Sequence, residues 1–186
     1  VDDGGTYQGV TVGIDGTLFV ANGFEGLRAY NYSGFELTVP EPIIDFSVTD
    51  GQKGSQVLTV GQDPNATEGI DTSLGEYELP PPPPSGVFDA RLELPNGLPS
   101  PVDIRPGGMT FEAGTQYKVK WQLSSGATEF TLNWNLPGEL SMTITDVVTD
   151  GSVINETFGP GEGIFTVTNE NLTELYLTFE GAVPVE

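Results

Sequence analysis

The densest run of groups able to do chemistry is an oxygen-rich stretch in the first half of the chain: Asp63, Asn65, Thr67, Glu68, Asp71 and Glu76, with Glu78 just beyond. Carboxylates, an amide and a hydroxyl spaced this closely are the ligands a hard cation such as Ca²⁺ selects. The opening D-x-N-x-T imitates the start of an EF-hand loop. The imitation then lapses, with Glu68 where the sharp-turn glycine belongs and Leu74 in the place of the bidentate glutamate. The same side chains serve equally to hold turns by local hydrogen bonds to the backbone. Ca²⁺ is the one cofactor these residues suggest.

Other constellations are thinner. Asp89, Arg91 and Glu93 alternate along one strand face, as a solvent-facing charge ladder does. A glycosidase pair would need two carboxylates facing each other across a cleft, and nothing in the sequence indicates one. Trp121 and Trp134 could offer rings for sugar stacking, but both fall in phase with the aliphatic residues of their strands and so read as core. Tyr30 and Tyr32, beside Arg28, are the aromatic residues better placed for surface contacts. Four N-x-S/T sequons occur, at Asn31, Asn65, Asn155 and Asn171. The chain has no Cys and no His. Thiolate nucleophiles, disulfides, the commonest general base and the commonest zinc ligand are therefore all missing. The expectation is a protein that is not an enzyme.

Charge narrows the partners. The chain of 186 residues carries 27 acidic and 6 basic residues, a formal net charge of −21. Such a surface repels nucleic acid and anionic lipid. No apolar run approaches the length of a membrane-spanning helix. The first residue is Val1, which suggests a processed mature form or a fragment.

The elements that must position these residues read as strands throughout. With 25 Gly and 15 Pro, the composition suits short strands joined by turns and opposes long helices. Val10, Val12 and Ile14 alternate up to the hairpin signal Asp15-Gly16, and Leu18 and Val20 resume after it. Phe35, Leu37 and Val39 alternate likewise, followed by strands at 43–48 and 56–60. The run Pro80–Pro84 favours an extended polyproline rod, either a linker or a strap across a sheet edge. Beyond it, strands are expected at 87–94, 117–123 (Tyr117, Val119, Trp121 inward), 130–136 (Phe130, Leu132, Trp134 inward), 140–144, 152–158, 163–168 and 175–179. About seven strands at this spacing predict an immunoglobulin-like β-sandwich.

The predicted fold is therefore all-β, with one or two immunoglobulin-like sandwich modules joined by an acidic, proline-rich segment. The division falls at 1–80 and 81–186, with the alternative that both share one core. Residues 1–20 read as a strand pair able to detach from the first module.

The run "LTVGQDPNATEGIDTSLGEYELPPPPPSGVFDARLELP", with "DPNATEGIDTSLGEYELPPPPPSGVFDAR" as its loop motif, resembles one that recurs in large secreted bacterial surface proteins, many carrying type IX secretion sorting domains. The matching positions are Gly61, Asp63, Ala66, Thr67, Gly69, Ile70, Asp71, Leu74, Gly75, Glu76, Glu78, Leu79, Pro80, Pro81 and 87–91. With the later run "YKVKWQLSSGATEFTLNWNLPGELSMTITD", the resemblance covers residues 46–180. It implies secretion and an extracellular or cell-surface location, and no particular reaction. The expected function is an extracellular structural or adhesive protein, a filament- or sheet-forming subunit that assembles through strand edges. Its partners would be copies of itself or neighbouring surface proteins. A calcium-supported carbohydrate-binding module, with glycans as partners, is the alternative.

Overall fold

In the computed structural model, residues 7–12, 17–22, 27–31, 42–52, 54–108, 111 and 114–181 are described, the first three stretches as backbone. The chain divides into two units, Val1–Val39 and Pro40–Glu186. The expected strand at 35–39 and the turn at Asp15-Gly16 lie outside the described residues.

The first unit is an antiparallel meander of β1 (Tyr7–Val12), β2 (Thr17–Asn22) and β3 (Leu27–Asn31). Val10 pairs with Val20, which pairs in turn with Arg28. The strand pair expected to detach is thus hydrogen-bonded into a sheet of its own. Donating β1 elsewhere would first break its ladder with β2.

The second unit is an all-β sandwich. Its strands are β4 (Ile43–Thr49), β5 (Ser55–Asp63), β6 (Asp89–Glu93), β7 (Pro99–Ser100), β8 (Val102–Pro106), β9 (Gln116–Gln122), β10 (Phe130–Leu136), β11 (Ser141–Asp146), β12 (Asn155–Phe158), β13 (Gly161–Val167) and β14 (Glu174–Glu180). One sheet runs β13-β10-β4-β5-β8 and the other β12-β11-β14-β9-β6-β7. All the ladders between named strands are antiparallel except β5 with β8, which run parallel.

Period-two alternation turns one face of each strand inward. Phe46, Val48, Leu58, Val60, Leu132 and Trp134 from the first sheet join Val119, Trp121, Met142, Ile144, Leu177 and Phe179 from the second in one core. The Tyr117 hydroxyl crosses the interior to donate to the Gly61 carbonyl at 2.7 Å, and burial pushes its phenol pKa well up. Since β4 and β5 belong to the same core as the later strands, packing is continuous across the expected division at 80/81. Contacts divide the chain at 39/40 instead.

Candidate functional site: the β12–β13 side of the sandwich

The acidic loop is held by its own backbone. Asp63 Oδ1 accepts from the Asn65 amide at 2.6 Å. Asp71 Oδ2 accepts from the Thr67 amide and hydroxyl at 2.6 and 3.0 Å. Glu76, buried, takes the Asp71 amide on one oxygen at 2.7 Å and the Ile104 amide of β8 on the other at 2.6 Å. Burial raises the Glu76 pKa against the pull of those two N–H groups, and the nearby Asp103 and Asp71 charges raise it further. Asn65 and Glu68 stand exposed on the loop. Among the described residues, no group of three or more acidic side chains is placed to hold a metal ion between them. Asp63, Asp71 and Glu76 each accept from backbone amides.

This arrangement covers a sheet edge. The Glu76 carboxylate fills a hydrogen-bonding position along β8, the outermost strand of its sheet. The Leu79 amide donates to the Pro99 carbonyl of β7, the outermost strand of the other sheet, at 2.8 Å. The proline run that follows is a strap. Arg91 Nη1 donates to the Pro80 carbonyl at 3.1 Å, and the Gln122 amide reaches the carbonyls of Pro83, Pro84 and Val87. Beneath the strap, Arg91 is only 7% exposed and makes a two-point ion pair with Asp89 at 2.6 and 2.7 Å. The charge ladder expected to face solvent is therefore partly buried, because the prolines lie over it. An alternation pattern shows which residues share a face, but not what later covers that face.

In the sandwich the described cationic side chains Arg91, Arg105, Lys118 and Lys120 are ion-paired. Arg105 grips the buried Asp103, and Lys118 and Lys120 both bridge Glu93 and Glu174 at 2.8 to 3.2 Å.

On the opposite side of the sandwich, no described loop or strap of the same unit lies along the strand edges. There β12 and β13 are the outermost strands of the two sheets, joined through Gly159 and Pro160. Among the described residues, no backbone hydrogen bond reaches the outward side of β13. The half-buried rings of Phe158 and Phe165, 5.9 Å apart, close the gap between the sheets. Ile164 at the centre of β13 is 64% exposed. A shallow trough of about 650 Å³ beside it is lined by Ile164, Asn133, Ser47, Val57, Asp45 and Glu162 among others. Register explains the row: Ile164 faces Asn133, Asn133 faces Ser47, and Ser47 faces Val57. Sequence reasoning missed this surface. Its only sequence signal is the run Gly161-Glu162-Gly163-Ile164, a strand carrying neither proline nor lysine to block pairing.

The tryptophans are core residues. Trp121 stacks on Phe130 with centroids 4.2 Å apart, and Trp134 meets Phe158 edge-on at 5.0 Å. Trp121 also borders a cleft of about 440 Å³ at one end of the sandwich, with Thr128, Asn169, Glu170 and Thr173 around it. Among the described residues, no helix is long and apolar enough to cross a membrane. The chain matches no protein-family model, no curated protein and no solved structure.

Proposed function

We propose that the chain is a structural or adhesive module of a secreted or surface-displayed protein, and that it works by strand-edge contact through the β12–β13 side rather than by catalysis. The observation that carries this reading is an asymmetry. Loop and strap guard the β7–β8 side, while among the described residues of the sandwich none supplies such cover on the β12–β13 side. A sheet edge with free amides and carbonyls is a template for another strand unless it is blocked. The lack of Cys and His and the ion pairing of Arg91, Arg105, Lys118 and Lys120 support a role without catalysis. The resemblance of residues 46–180 to bacterial surface proteins supports the location. The test is electron microscopy of the purified chain beside Ile164→Lys. Filaments, sheets or regular pairs that the substitution abolishes support the reading. Dispersed single particles from both proteins, or assemblies indifferent to the substitution, contradict it.

A second reading, carbohydrate binding, draws on the cleft beside Trp121, whose hydroxyl, amide and carboxylate neighbours suit sugar hydroxyls. It requires saturable binding to a glycan panel that Asn169→Ala removes. Against a stacking platform stands the burial of both indoles, at 7% and 6% exposure.

A further inference from the structure

Resting on the edge-contact reading, we infer that the partner of β13 is the β13 of a second copy, paired antiparallel about Ile164 into a closed two-fold dimer. The strand runs from Gly161 to Val167, so Ile164 is its midpoint. An antiparallel pair centred there engages the whole strand: Gly161 opposite Val167, Glu162 opposite Thr166, Gly163 opposite Phe165, and Ile164 opposite itself.

Each of these pairings is favourable. Glu162, Ile164 and Thr166 are exposed on the outer face, while Phe165 and Val167 turn inward. On the outer face the two Ile164 side chains form a cross-strand apolar contact, burying the most exposed aliphatic group of the strand. Each Glu162 meets a threonine hydroxyl instead of its own copy, so no like charges stand directly opposite. Shifting the centre to residue 162 would bring the two glutamates together, which is destabilising. On the inner face, the half-buried Phe165 ring lies across from Gly163, the arrangement in which an aromatic residue covers an edge glycine.

The geometry also limits growth. The other outer edge of the same sheet, β8, holds the Glu76 carboxylate on its Ile104 amide. A contact made by the same patch on both copies closes after two subunits, whereas filaments need two different patches. Within this sheet, among the described residues, β13 is the edge without such a cover. The pair therefore joins two sheets edge to edge, with the strapped side of each sandwich facing outward. A net charge of −21 on each copy opposes association. That repulsion is screened beyond about 8 Å at physiological ionic strength, so the dimer should strengthen as salt is added.

The absence of Cys makes single-cysteine variants clean reporters. In an antiparallel pair, directly opposed Cα atoms lie about 4.5–5.5 Å apart, within the reach of a disulfide. Ile164→Cys should gain a covalent dimer band on mild oxidation. Thr166→Cys should not, because its own copy sits four residues away, about 13 Å along the strand. Circular dichroism confirms that each variant is folded. In sedimentation velocity, Ile164→Lys should lose the dimer seen for the unmodified chain. A monomeric unmodified chain without cross-linking, or equal cross-linking from both cysteine variants, would overturn the inference. So would assemblies that Ile164→Lys abolishes but Ile164→Cys does not cross-link. In that last case edge contact survives and only the self-pairing falls. Assemblies untouched by Ile164→Lys would sink both.

Discussion

The indole of Trp134 occupies the space that a side chain on Gly163 would need. The two residues are cross-strand partners in the β10–β13 ladder, and a Cβ added at Gly163 would collide with the five- and six-membered rings where they join. The glycine is required by this close approach, not by an unusual backbone angle. It lets a large ring settle between the sheets beside the open side, with Phe46 and Phe158 against it. Among the described residues the buried indole Nε1–H has no hydrogen-bond partner, a cost that the packing of the ring must outweigh.

Gly163→Ala should therefore destabilise the sandwich by about 1–3 kcal/mol through overpacking against a rigid ring. In a unit of this size that lowers the melting temperature by roughly 2–12 °C. Gly159→Ala is the matched control, since a methyl there meets nothing within 4 Å. Thermal unfolding followed by tryptophan fluorescence distinguishes the two. Equal melting temperatures would mean that Trp134 yields freely.

Acid stability follows from two buried carboxylates. Asp146 accepts from the amides of Thr149, Val153 and Ile154 and from the Thr149 hydroxyl, pinning the turn between β11 and β12. Burial alone would raise its pKa, but these donors outweigh burial and bring it down to about 2. Asp50 behaves alike, with Ser124, Gly54 and Gln52 as donors and a pKa of about 2. A carboxyl whose folded pKa lies below its unfolded value binds fewer protons when folded. Its contribution is complete above the ordinary value of 3.8 and is lost as the pH falls toward 2. Glu76 and Asp103, raised chiefly by burial, act in the opposite sense. Their contribution declines as the pH climbs above the usual carboxylate range. Urea midpoints measured across pH should thus fall steeply on the acid side. Asp146→Ala should flatten that limb and lower stability at neutral pH by about 2–4 kcal/mol.

The strap gives a further expectation. Arg91→Ala removes both bonds to Asp89 and the bond to Pro80, leaving a half-buried carboxylate short of partners beneath the strap. A loss of about 2–4 kcal/mol is expected. Limited proteolysis should cut within residues 64–86 sooner than in the parent chain. Unchanged cleavage would show that the prolines hold their place without Arg91.

Much of the fold was legible because alternation reports directly on a half-buried strand. Tyr117, Val119 and Trp121 in β9, and Phe130, Leu132 and Trp134 in β10, point inward as their spacing predicts. Strands β7 and β8 were not legible. Pro99, Pro101 and Pro106 break the pattern, and in β8 the buried positions include the polar Asp103. Parallel pairing of β5 with β8 is a long-range choice that no local pattern encodes. The acidic loop was found as a cluster of oxygens, but not as a cover. What its carboxylates bind depends on the amide of Ile104, which lies 28 residues beyond Glu76. The open edge was invisible for a related reason: an edge is defined by what fails to pair with it.

The central claim is that the β13 edge is the contact surface. Residue-resolved hydrogen–deuterium exchange of the full chain, at low and high protein concentration, tests it most directly. Amides of Gly161–Val167 should slow markedly at high concentration, while those of Val102–Arg105, already covered by the Glu76 loop, should keep one rate at both. Exchange in 161–167 that is unaffected by concentration, or slowing confined to another segment, would contradict the account.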